Sequence, residues 1–354
     1  MAGLTTQENL ESLSQISATL THHFKAGFVQ VLNEEGTLWS LLPKRRSAAE
    51  AVRVKFHVGR NSGGGATTET GSVGTAGYQA YHSAYVDYAI YTKPIEVTDL
   101  VQAKVLASGH GNYDAWEDEV ARAAADMRRD LEEALWGAQA GNSSLGIQDA
   151  LDDGDAVANY LGLARDDYPF LKCVSLDAIS GETPGPLSFA LLRELSRKVH
   201  HGTGADLVGD EMTFKAADQG GGRMDVLLAP PEIESVFEAL VTANSRFPLP
   251  ATVNSRVDPG LTDLIYKRAP VIGSRFCPDN TLYALDLATW SVEILPQVLV
   301  DAKGARQETD FALIVEGRSG QKVTAFWRVY FQLVCTSPWR NGRIVNVSHD
   351  EPQG

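Results

Sequence analysis

Few residues in this chain carry a spacing that could do covalent or metal chemistry. His200 and His201 stand together before Gly202-Thr203-Gly204, and Asp149, Asp152, Asp153 and Asp155 surround Gly154. A zinc site needs further His, Cys or carboxylate ligands at fixed spacing, as in HExxH, and none accompanies the histidines. A calcium loop needs a twelve-residue pattern closed by a bidentate Glu, which is absent. The histidines therefore read as cations at a helix C-terminus, and the aspartates as a solvated acidic turn. The GSVGTAG glycines (Gly71, Gly74, Gly77) have no following Lys-Ser/Thr to grip phosphate. They precede a predicted strand, not the helix that a dinucleotide loop must open. GNSSLG at 141–146 lacks the nucleophile-elbow spacing. Cys173, Cys277 and Cys335 are odd in number and far apart, which excludes a disulfide framework and fits a reducing compartment. The expectation is a chain without catalysis, cofactor or metal.

What remains is charge suited to contact. Lys44 to Arg60 holds six bases and one acid, in a chain with 31 Lys plus Arg against 45 Asp plus Glu and a formal charge of −14. Residues 113–136 hold eight acids and three bases. The basic run reads either as a solvated stretch or as an inter-subunit clamp, and the acidic one either as a wet face or as the receiver of a basic partner. The overall acidity argues against a dedicated nucleic-acid binder, which needs a basic footprint.

The length, 354 residues, suits two or three domains, and 44% hydrophobic content supports a sizeable core. The N-terminus lacks the basic and apolar regions of a signal peptide, and no run reaches 18 apolar residues. A soluble protein made in a cytoplasm, with no membrane partner, is expected.

These residues must be held by a particular set of elements. Thr5–Leu32 has helical stretches with Leu10, Leu13, Ile16 and Leu20 at a period near 3.6, too segmented to bury their own face. Residues 52–58, VRVKFHV, place Val52, Val54, Phe56 and Val58 on one face of a strand and Arg53, Lys55 and His57 on the other. A small-residue tract to Gly77 and a tyrosine-rich strand (Tyr78, Tyr81, Tyr85, Tyr88, Tyr91, with Ala84, Val86, Tyr88 and Ile90 alternating) complete a long hairpin. Loops of such length are commonly functional or partner-bound. Residues 113–136 predict a helix about 36 Å long at 1.5 Å per residue, with Asn112 as N-cap and a stripe of Trp116, Val120, Ala123, Met127, Leu131 and Leu135. A second helix is predicted from Pro186 to His200, a short strand over Met224–Leu228 and a helix over Pro231–Leu240. Strands PVIGS and TLYALD follow, joined at Cys277-Pro278-Asp279-Asn280. From Val323 to Cys335 every odd residue is apolar, which predicts a strand of about 43 Å.

In this order the elements resemble the major capsid protein family of tailed bacteriophages, the Hong Kong 97-like fold also used by encapsulins. APVIGSRFCPDNTLYALDLATW is similar to that family's Pro-Val, short turn and strand ending in Asp, and VYFQLVCTSPWRNGRIVNV resembles its closing strand, Pro-containing turn and final strand. The resemblance implies an α+β phage major-capsid fold. It has an N-terminal arm (1–50), an extended β-hairpin E-loop (51–100) and a peripheral domain (101–179) with a long spine helix at 113–136. A mixed α/β axial domain (180–308) and a return to the peripheral domain with long strands (309–354) complete it. It also implies a structural subunit self-assembling into hexamers and pentamers of an icosahedral head around double-stranded DNA, without sequence-specific binding, in the virion. Lys44, Arg45, Arg46, Arg53, Lys55, Tyr78, Tyr81, Tyr85, Glu117 and Asp118 are the expected inter-subunit contacts. A separate scaffold, a portal and decoration proteins are the further partners it allows. Between Phe56 and Thr92 there is no Lys, so the E-loop Lys–Asn cross-link of some relatives is not expected. The chain enters the arm at once, which suggests a separate scaffold or none. An encapsulin-like compartment, or a cytosolic α+β enzyme using His200, His201 and the Asp149–Asp155 cluster, are the competing readings.

Overall fold

A computed structural model describes residues 36–47, 49–59, 69, 71, 80–107, 115–179, 183–201, 221–244, 265–300 and 306–349. Tyr78, the Asn112 cap and the helices expected within 5–32 lie outside them. The chain separates into two compact units. One contains Ile90–Leu131 and Pro296–Tyr330; the other contains Thr37–Ala89, Glu132–Leu295 and Phe331–Gly354.

In the first unit, the strand Ala89–Thr98 from Ile90 on and the hairpin of Ala312–Ser319 with Lys322–Cys335 as far as Tyr330 supply the sheet, and the helix Ala115–Trp136 as far as Leu131 supplies its cover. Ile95, Ala123 and Ala325 form a buried cluster, with Trp116, Val120, Leu313 and Trp327 packed against it. The Trp327 indole N–H donates to the Val120 carbonyl at 3.1 Å, and Lys93 meets Asp130 at 2.9 Å. Alternation along 323–335 thus does what it predicts: Ala325 and Trp327 face the helix. Pro94 was expected after its strand, yet it lies inside Ala89–Thr98, exposed. A proline, lacking N–H, is tolerated where the ladder does not need its donor.

The second unit is built on a six-stranded sheet in the order Val174–Asp177, Gly342–Val345, Leu282–Leu285, Val226–Ala229, Ala269–Gly273, Ile265–Tyr266. Val226–Ala229 and Leu282–Leu285 are buried at every position, as central strands covered on both faces must be. The helices Phe189–His201 and Pro231–Asn244 bring Leu192, Leu195, Val199, Ile233, Val236 and Phe237 into its core. The first begins three residues later than its apolar pattern suggests. The Leu191 N–H donates to Ser188 Oγ at 3.3 Å and the Leu192 N–H to the Ser188 carbonyl at 3.2 Å, so Ser188 is the cap and Leu187 is buried ahead of it. The same unit holds the strand Lys44–Arg46, parallel to Trp290–Ile294, which pairs antiparallel with Phe331–Cys335.

The hairpin forms a separate two-stranded sheet: Val52–Gly59 pairs antiparallel with Ala80–Val86. The tyrosine-rich segment is not one strand but two, broken at Asp87-Tyr88. Its first part stays with the hairpin and its second joins the long-strand sheet, because each finds a different backbone partner.

Candidate assembly surfaces

The hairpin register sorts its residues by face. Directly opposed residues of an antiparallel pair point to the same side. Val52, Val54 and Phe56 oppose Val86, Ala84 and His82, whereas Arg53 and Lys55 oppose Tyr85 and Ser83, and His57 opposes Tyr81. Val52, Val54, Phe56 and Ala84 are buried. The other face presents Arg53, Lys55, Tyr81 and Tyr85, with the two tyrosines 63% and 57% exposed. The Arg53 guanidinium lies 5.2 Å from the centre of the Tyr85 ring. Four of the expected contact residues therefore share one surface. Exposed Tyr and Arg are the residues that dominate contact energy at protein interfaces, because each offers a large apolar body with a polar end.

The basic strand is a second surface. Lys44, Arg45 and Arg46 are all exposed, at the end of the strand order. They are not equivalent. Lys44 Nζ donates to the Trp39 carbonyl and stands 5.3 Å from the Trp39 ring, and partial burial holds its pKa below the usual lysine range.

The acidic helix divides in two. Glu117 is exposed, and Asp118 is tied to Arg122 one turn on. Glu132, counted among the acids of a wet face, is fully buried. Its carboxylate accepts from the Leu38 N–H at 2.7 Å, the Trp39 N–H at 2.8 Å and the Trp136 indole N–H at 2.9 Å. It caps the short helix Thr37–Leu41 from outside, satisfying N–H groups that have no partner within the helix.

The Asp149–Asp155 cluster also corrects its reading. Asp149 and Asp152 are buried around Arg165, itself fully buried. Arg165 donates to the Leu171, Val157, Asp149 and Ala150 carbonyls and lies 3.8 Å from Asp152. Arg343 adds contacts to Asp152 at 3.0 Å and Asp153 at 3.1 Å. Burial pushes the Asp149 carboxyl up. Burial does the same to Asp153, but the Arg343 guanidinium and local N–H donors outweigh it and hold Asp153 below the usual range. Asp152 and Asp153 pair with the two arginines, the Asp149 carboxylate accepts from the Gln139 N–H at 2.7 Å and the Gly146 N–H at 2.9 Å, and Asp155 alone of the four is exposed, as a solvated turn has it. Among the described residues no cluster of His, Cys, Asp and Glu is arranged to hold a metal. The three cysteines are buried as free thiols, with Cys173 and Cys335 pushed up to about 12 by burial.

Residues 87–347, well over half of the chain, match the family model described as SU10 major capsid protein. No curated protein sequence matches the chain. Among solved structures it is similar to the cyanophage A-1(L) capsid protein, with 18% identity over 92% of this chain and 96% of that one and a TM-score of 0.65. It is also similar to the capsid protein of a native GTA particle, with 10% identity, 92% and 94% coverage and a TM-score of 0.60. The holo-SrpI encapsulin of Synechococcus elongatus PCC 7942 shares the fold at 12% identity, 96% and 97% coverage and a TM-score of 0.59.

Proposed function

The chain belongs to the SU10 major capsid protein family, and on that premise we propose how it builds its shell. It is a major capsid protein of a tailed phage, a structural protein of the virion that assembles into capsomers, and not an enzyme. The encapsulin likeness reports the shared fold alone; the family match decides between the two kinds of shell.

The subunits form hexamers and pentamers that close an icosahedral head around double-stranded DNA, assembled in the host cytoplasm with a portal and, where one is used, a separate scaffold and decoration proteins. Residues 1–50 serve as an arm, 51–100 as the E-loop, 101–179 and 309–354 as the peripheral domain, and 180–308 as the axial domain. The contacts between subunits run through Arg53, Lys55, Tyr81 and Tyr85, with Lys44, Arg45, Arg46 and Tyr78 beside them and Glu117 and Asp118 as the acidic counterpart. The observation that carries this is the hairpin: one face buries Val52, Val54, Phe56 and Ala84, and the opposite face gathers exposed arginine, lysine and tyrosines. The net charge of −14 would keep packaged DNA from adhering to the inner wall.

Electron microscopy and sedimentation of the recombinant protein test the reading. Closed shells, tubes or capsomer-sized rings are expected from the wild type, alone or with its scaffold, and their loss from the Arg53→Glu/Lys55→Glu variant. Normal shells from that variant would refute the assignment of the hairpin face. A strongly basic lumen in the assembled particle would refute the repulsion argument.

A further inference from the structure

The hairpin belongs to neither larger sheet, so something other than a ladder must set its direction. Its inner face meets two aromatic side chains from one short stretch. Phe56 lies 5.2 Å from Phe170 at 49°, and His82, its cross-strand partner, lies 5.0 Å from Tyr168 at 66°. Tyr168 and Phe170 touch each other edge to face at 5.8 Å. Phe170 in turn meets Trp339 at 6.1 Å and 84°. Phe170 and Trp339 each follow a proline at the start of a 3-10 turn, Pro169–Leu171 and Pro338–Arg340. Such turns present a side chain from a fixed backbone, because proline holds its own φ near −65°.

The seat is itself held from behind. Arg165 Nε donates to the Leu171 carbonyl, the Tyr168 N–H to the Ala164 carbonyl at 3.1 Å, and the Leu171 N–H to the Tyr168 carbonyl at 2.9 Å. The buried arginine thus grips both the acidic loop and the turn carrying Phe170. An aromatic pair in edge contact is directional, unlike an aliphatic contact, so the four contacts among these five rings specify an angle as well as a depth.

We propose that Tyr168, Phe170 and Trp339 form an aromatic seat that fixes the direction in which the hairpin leaves its unit, and that Phe170 is a positioning residue for the contacts made by the opposite face. This rests on the hairpin face being the inter-subunit surface. Assembly needs Arg53, Lys55, Tyr81 and Tyr85 delivered within the narrow range of angles that hexamers and pentamers use, and the seat restricts the hairpin to such a range before any neighbour arrives, lowering the ordering cost of association.

The test measures direction and assembly separately in the full chain. Spin labels at Ser83→Cys on the hairpin strand Ala80–Val86 and Asp155→Cys on the loop report an inter-label distance. The three native thiols are buried and their pKa values raised, so they stay unlabelled. The wild type is expected to give a narrow distribution. Phe170→Ala should broaden it and divert assembly into open or irregular products, while the circular dichroism spectrum stays native. Phe170→Leu, which keeps most of the volume, should recover part of both. His82→Ala removes one ring contact from an exposed hairpin position and should broaden the distribution if Phe170→Ala does not fold.

An unchanged distribution in folded Phe170→Ala, or in His82→Ala where Phe170→Ala does not fold, overturns the seat. A broadened distribution with normal shells supports the seat's hold on the hairpin but overturns its role in assembly. Arg53→Glu/Lys55→Glu then tells which premise failed: if that variant also assembles normally, the hairpin face is not the inter-subunit surface.

Discussion

The Arg165 loop and the hairpin face use the same side-chain types to opposite ends. Around Arg165, buried carboxylates and carbonyls of the same chain answer the guanidinium, and Tyr160 lies 5.3 Å from it with its hydroxyl donating to the Cys335 carbonyl. On the hairpin, Arg53 meets only a half-open tyrosine ring among the contacts described, and Lys55 stands exposed. Charge in the first region is committed to folding; in the second, we propose, it is left for a neighbour. A shell subunit needs both, since it must be folded before it is bound and yet keep complementary surface in reserve.

Substitutions that break this comparison fall in a definite order. Arg165→Ala should be the most damaging, costing about 3–5 kcal/mol as buried carboxylates and carbonyls lose their partner; denaturant titration would show a midpoint shift or no folded protein. Glu132→Ala should follow at about 2–3 kcal/mol, because two buried N–H donors and one partly buried one lose their acceptor. Its thermal midpoint should drop, and exchange at the Leu38 and Trp39 amides should accelerate. If instead these amides stay protected, Glu132 is not what holds the helix Thr37–Leu41.

A smaller, pH-dependent effect sharpens the contrast. The folded pKa of Asp153 is depressed, so its stabilisation is fully present above the unfolded carboxylate value, near 4, and is lost as pH falls through the folded value. Asp153→Asn should flatten that acid limb of the stability profile; an unaltered limb would remove Arg343–Asp153 from the account. The smallest effect on folding is expected on the hairpin. Arg53→Glu/Lys55→Glu should change monomer stability by no more than about 0.5 kcal/mol, as exposed substitutions do, while assembly suffers. A large stability loss there would erase the distinction between the two regions.

Much of the architecture was legible because periodicity is a local property. The long helix, the hairpin strands, Pro231–Asn244 and Lys322–Cys335 all follow from apolar spacing that each element enforces on itself. The division at Asp87-Tyr88 was not: alternation in the sequence continues through it, but the buried face changes phase, with Ala84 buried before the break and Ala89, not Ile90, buried after it. Nor was the cap at Ser188 expected, where apolar spacing extends past the first helical turn.

The candidate site divides the same way. Composition left the basic run open between a solvated stretch and a clamp, the family resemblance named it and the tyrosines as contacts, and alternation put Arg53 and Lys55 on one face. That Tyr81 and Tyr85 join them depends on cross-strand register, which pairs residues about thirty positions apart. Glu132, Asp149 and Asp152 look in sequence like any other acids of a wet helix or turn. Their burial was decided by the partners the fold supplies: the Leu38 and Trp39 amides for Glu132, the Gln139 and Gly146 amides for Asp149, and Arg165 and Arg343 for Asp152. A charge's neighbours in sequence set its field, but desolvation and pairing depend on what the fold brings to it. The sequence determined which elements form and which charges the chain carries; the tertiary structure alone decided which of those charges are already answered.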